Sequence, residues 1–295
     1  MADSAFGGSS RFDVFGLDLN GYKLIKKGTN AIRMDLITNT SGGLDVAGGS
    51  LYFEGVNQVF EGPVTVSAGM YLGMYIYSVP QRFTGNITLN GGRIYIGGYT
   101  NIVSGSWYGT VTVNGDGSIL TGAVESGKNL PGSPWDVHVY SAISGSGDLY
   151  FNRASITQVS ASNKVISVYA DNPFAGRVHI QRGTCRLAST GALRFATGVE
   201  VTAGAKLEIL NTGDTLGETA VIAVSNDVNT ATGVYLADGV EEHVARVILG
   251  GTVFGEGGGT HGSSASAAVH KNDEYFSGTG ILVLPRRRGT LVLMK

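Results

Sequence analysis

The chain has 295 residues, among them 46 glycines, 6 prolines and 1 cysteine; 42% are hydrophobic, 15% are charged, and the formal net charge is -2. So large an apolar fraction excludes a disordered glycine-rich tail, and glycine without a Gly-X-Y period excludes collagen. A near-neutral chain with pI ≈ 6.2 lacks the basic stripe that nucleic-acid binding needs.

Met1 is followed by no basic region and apolar run, so no signal peptide is expected. No apolar stretch of about 18 residues offers a membrane helix. Asp13, Asp18, Asp35 and Asp45 fall early and read as solvated turn and strand-edge carboxylates. From Thr40 a written pattern begins: an aromatic start, a glycine two residues on, apolar residues four and six on, and a turn glycine nine on. A second apolar pair follows the turn. The first copy lacks the aromatic but has Gly42, Leu44, Val46, Gly49, Leu51 and Phe53. Phe60, Gly62, Val64, Val66 and Gly69 form the second, and Phe83, Gly85, Ile87, Leu89, Gly92, Ile94 and Ile96 the third. Trp107, Gly109, Val111 and Val113 keep the front half, and Gly147, Leu149 and Phe151 fit a start at Gly145. Phe174, Gly176, Val178, Ile180, Gly183, Cys185 and Leu187 restore the whole pattern, and Phe195, Val199, Val201 and Gly204 give a looser copy. Short intervals of 20 to 24 residues match one coil of a solenoid; longer ones imply loops, notably around 129–134. The stretch 238–249 has enough charge to suggest a helix, but Arg246-Val-Ile-Leu249 reads better as strand.

Alternation every two residues sends side chains in and out of a sheet. Glycines at the breaks supply the positive φ that corners require. One coil cannot cover its own apolar face, so coils stack and share a core. An all-β solenoid is therefore expected, with a β-helical repeat region over 1–244 and a closing module of the same solenoid over 245–295. A closed sandwich is the competing architecture.

Chemistry is sparse. His138, His179, His243, His261 and His270 are scattered without metal-ligand spacing. No His-Glu-x-x-His, nucleophile elbow or P-loop occurs. The glycine string at 257–262 precedes no helix, which argues against a dinucleotide role. The outward fifth position of the copies reads Asp45, Thr65, Thr88, Thr112, Tyr150, His179 and Glu200, with one carboxylate at each end. Sugar hydrolysis needs two carboxylates together, so no catalytic residue is expected, and no cofactor or metal. Cys185, at an inward position, reads as a small buried hydrophobe.

Aromatic residues offer a surface. Tyr75, Tyr77, Tyr95, Tyr99, Trp107 and Tyr108 fall within about one and a half coils, and Tyr95 lies between inward Ile94 and Ile96. Exposed rings there would form a platform for surface glycans or a partner protein; ordinary cross-strand stacking is the plainer reading. Arg286, Arg287 and Arg288 suit protection of a sheet edge. Beyond them Leu291, Val292 and Leu293 could add a strand to another copy, a candidate for self-assembly.

The windows 40–53, 83–96 and 174–187 resemble the autotransporter-associated β-strand repeat of bacterial surface proteins. Val247 to Thr252, Gly259 to Ser264 and Tyr275 to Val283 are similar to the module that often closes such repeats. The resemblance implies a right-handed parallel β-helix displayed outside a bacterial cell as stalk, passenger or adhesive surface, and brings no catalytic residues with it. Neither a leader nor an outer-membrane barrel accompanies the repeats, so export by the chain's own barrel is not expected. The function expected is a non-catalytic structural β-solenoid of a cell surface or extracellular fibre: stalk, adhesin or self-assembling scaffold. The alternatives are a β-helical polysaccharide lyase or depolymerase and a phage-type fibre subunit.

Overall fold

A computed structural model describes residues 4–54, 57–76, 80–98, 103–122, 135–152, 164–225 and 233–286. Along Gln81–Asn90 every second residue is buried: Phe83, Ile87 and Leu89 point inward while Arg82, Asn86 and Asn90 face out. Such a ribbon leaves one apolar side uncovered, and the next coil covers it in register. Leu24 faces Leu44, Leu44 faces Val64, Val64 faces Ile87, and Ile87 faces Val111. On the opposite face Ile32, Leu51, Leu72, Ile94 and Leu120 align in the same way. These ladders build a parallel β-solenoid, the all-β fold expected, in which a 13-stranded and a 12-stranded sheet enclose one core. Each fully buried aliphatic or phenylalanine side chain contributes roughly 1.5–3 kcal/mol relative to exposure. Among the described residues the one helical segment is a 3-10 turn at Thr40–Gly42.

The aromatic starts Phe60, Phe83, Trp107 and Phe174 are core residues, whereas Phe195 is 52% exposed. Phe83 lies 5.9 Å from Phe60, 5.7 Å from Phe53 and 5.2 Å from Trp107, ring centre to ring centre. At Phe60, Phe83 and Trp107 the glycine two residues further on lies within a strand of the larger sheet, where successive coils approach closely. Gly109 has φ +94°, and a Cβ there would lie 2.3 Å from the Gly85 carbonyl oxygen of the preceding coil. No side chain fits that approach.

Three buried polar residues occupy breaks in the ladders. Lys26 stands in an inward rung next to Val46, and its Nζ donates to the carbonyls of Lys27 (2.8 Å), Gly28 (3.1 Å) and Gly48 (2.8 Å) and to Asn30 Oδ1 (3.2 Å). Gln58 Oε1 accepts from Ile37 N and its Nε2 donates to Ile37 O, both at 2.9 Å, so its amide imitates a strand. Asn172 accepts from Ile143 N (2.5 Å) and donates to the carbonyls of Ala170 (2.8 Å) and Ala192 (2.6 Å), joining three coils.

At the C-terminal end the topology changes. Arg246–Leu249 pairs antiparallel with Thr252–Phe254, and Phe276–Gly278 adds the last parallel strand of the larger sheet. A four-stranded sheet built from Glu241–His243, Ile281–Val283, Thr260–Gly262 and His270–Lys271 lies beside them, and buries Leu282 with Leu284, Tyr275 and Phe276 nearby. Glu242 ties this region to the preceding coil: its carboxylate accepts from Thr215 N, Thr215 Oγ1 and Leu216 N. The first described coil, by contrast, leaves a cavity of about 500 Å³ lined by Phe6, Phe12, Val14, Leu17 and Met34.

Candidate functional site

Of the six aromatic residues expected to form a platform, the four that the structure describes separate. Trp107 is 1% exposed and lies in the core. The outward placement expected of it is therefore corrected, because residues 107, 109, 111 and 113 share one phase of the strand and Val111 and Val113 point inward. Tyr75 and Tyr95 do lie on the outer side of the smaller sheet, yet are only 2% and 6% exposed. They are packed, not presented. Tyr95 meets Tyr52 edge-on at 5.5 Å across Gly73, whose Cβ would come within 2.6 Å of both rings. Arg33 lies 4.3 Å over the Tyr75 ring while forming an ion pair with Glu54 at 2.8 Å. Tyr77, Tyr99, Leu291, Val292 and Leu293 lie outside the described residues.

Tyr108 belongs to a different constellation, on the larger sheet. Three coils each end an inward residue with an outward tyrosine: Trp107-Tyr108, Val139-Tyr140 and Val168-Tyr169. The backbone register places them in one column, since Tyr140 N donates to Trp107 O and Tyr169 N donates to Val139 O. Strand spacing of about 4.8 Å then stacks the rings. Tyr108 and Tyr140 are 4.8 Å apart at 14°, and Tyr140 and Tyr169 are 4.6 Å apart at 15°. Arg82 closes one end, 3.8 Å above the Tyr108 ring, and His138 Nδ1 lies 3.2 Å from the Tyr169 hydroxyl. Ala188 follows Tyr169 in the column, too small to cover the far face of that ring. Tyr140 is 41% exposed, and partial desolvation, with the neighbouring Tyr169 and Tyr108, holds its phenol above the ordinary range. The column presents phenol edges and hydroxyls along the axis and one open ring face at Tyr169. It can donate and accept hydrogen bonds and stack against one flat apolar group.

Sequence reading missed Tyr140 and Tyr169 because it looked for tyrosines close along the chain. In a solenoid, neighbours are one coil apart. The repeated step from an inward residue to a tyrosine was the available signal.

The outward column on the smaller sheet holds Tyr150, His179 and Glu200 in register. Tyr150 stacks on the His179 ring at 4.4 Å. His179 Nδ1 is hydrogen-bonded to Glu200 Oε2 at 2.9 Å, while Nε2 is buried 3.3 Å from Asp148 Oδ2 without hydrogen-bond alignment. A general base needs a nitrogen free to meet substrate; this ring is braced on three sides. Asp13 pairs with Arg11, Asp18 accepts from Asn20 N and Asn39, and Asp45 lies 3.8 Å from Lys23, so these three carboxylates serve turns and surface pairs. The Cys185 thiol is fully buried, and desolvation pushes its pKa far above the usual range. No group of three or more potential metal ligands occurs among the described residues, and no helix there is long and apolar enough to cross a membrane.

Compared with known proteins, the chain matches no family model, no curated protein and no solved structure.

Proposed function

We propose that this chain is a non-catalytic structural β-solenoid, displayed on a bacterial surface or in an extracellular fibre, that uses the tyrosine column of the larger sheet as an adhesive contact. The column carries the reading: Tyr108, Tyr140 and Tyr169 stand outside the core ladders, so the hydrophobic interior does not account for three stacked rings at the surface. A low-charge exterior and a fold assembled from stacked coils suit a spacer that holds such a contact away from its anchor. The likeness of the repeats to those of exported bacterial passengers supports the location, and surface glycans or a second protein are the partners in view.

Tyr140→Ala combined with Tyr169→Ala tests this. Binding to cells or to a glycan array should fall about tenfold, as expected for loss of two ring contacts, with an unchanged far-UV spectrum. Undiminished binding would remove the column from the function.

A further inference from the structure

The outer face of the smaller sheet sinks where its outward side chains become small. Two columns run along the axis there in parallel register: Arg177, Gly198, Val221 and Arg246, and beside them His179, Glu200, Ala223 and Ile248. Gly198 and Ala223 leave a depression of about 290 Å³ between the two arginines. Arg177 and Arg246 are exposed and three strand spacings apart, roughly 14 Å along the axis. Arg33, Arg186 and Arg194 each have a carboxylate partner. Arg177 and Arg246 have none among the described residues. Glu200, the one acid in the lining, is hydrogen-bonded to His179 Nδ1 at 2.9 Å and forms no ion pair with either guanidinium. Val221 and Ala223 give the floor an apolar stretch.

We propose that this depression binds a segment of an acidic polysaccharide, with Arg177 and Arg246 each taking one anionic group and the floor under the sugar rings between them. A guanidinium presents a planar fork of donors that matches carboxylate or sulfate oxygens. Two such forks held apart by a shallow, partly apolar floor fit a linear ligand with spaced charges and flat CH faces. The lining contains no aromatic ring on which a nucleic-acid base could stack. The site lies on the other sheet from the tyrosine column and stands whether or not that column binds.

Titration of the full chain with polygalacturonate (carboxylated), heparin (sulfated), neutral dextran and poly-glutamate, at low and physiological salt, tests it. At least one acidic polysaccharide should bind, more weakly as salt rises; dextran should not bind, and poly-glutamate should bind at least about tenfold more weakly. Arg177→Gln with Arg246→Gln should reduce affinity about tenfold or more. Ala223→Leu, which fills the floor and leaves both charges, should do the same, while the Tyr140/Tyr169 double variant binds as the parent does. The preferred acidic polymer distinguishes a carboxylate ligand from a sulfate one. Full affinity in either groove variant, equal binding of poly-glutamate, or no binding of either acidic polysaccharide overturns the proposal. Melting curves of each variant check that the fold is intact.

Discussion

Lys26 is the residue whose chemistry departs furthest from its neighbours. An ammonium occupies a rung of hydrophobic side chains, yet every donor it carries has an acceptor at the corner. Burial holds its pKa below the usual lysine value. Between that lowered value and about 10.4 in the unfolded chain, the unfolded state binds more protons, so stability rises with pH across that window. Denaturation midpoints measured through alkaline pH should show this slope in the parent and lose it in Lys26→Met. That substitution should also cost about 1–3 kcal/mol near neutrality, because the corner carbonyls lose their donor. Nothing in the sequence marked Lys26 as an inward residue, since a lysine in a strand ordinarily faces solvent.

At the scale of one strand, phase decides what a side chain does. Trp107 and Tyr108 are adjacent in sequence and opposite in role: one is among the largest fully buried side chains, the other forms part of an external stack. Trp107→Ala should therefore destabilise the fold by about 3–5 kcal/mol. Tyr108→Ala should cost less than about 1.5 kcal/mol, the worth of its ring contact. Chemical denaturation of the two variants would expose an error in the assigned phase if their order were reversed. The inward ladder was legible in the sequence because apolar pairs and glycines recur at fixed offsets, as at Ile87/Leu89 and Val178/Ile180. The surface was not. Outward residues obey no such constraint, and whether an outward ring is exposed depends on its neighbours one coil away, as Gly73 between Tyr52 and Tyr95 demonstrates. The arginine groove was hidden for the same reason, since Arg177 and Arg246 are 69 positions apart in the chain and meet only through the register of four strands.

For the molecule as a whole, the hydrogen bonds that join coils point along the long axis, so a pull on its two ends loads the coil junctions in series and the weakest one sets the limit. Among the described residues, the strand Gln81–Asn90 grips its successor through ten residue pairs. The first coil holds the second through three pairs on each main sheet and the short pairing of Leu17–Asp18 with Ile37–Thr38. The second holds the third through three and four pairs, so single-molecule stretching should release such short-paired coils, each on the order of 20 residues, before the junction at Gln81–Asn90 yields. Unequal lengths of pairing from coil to coil thus give the stack an order of rupture, in which the long strand Gln81–Asn90 and its successor are the last to part.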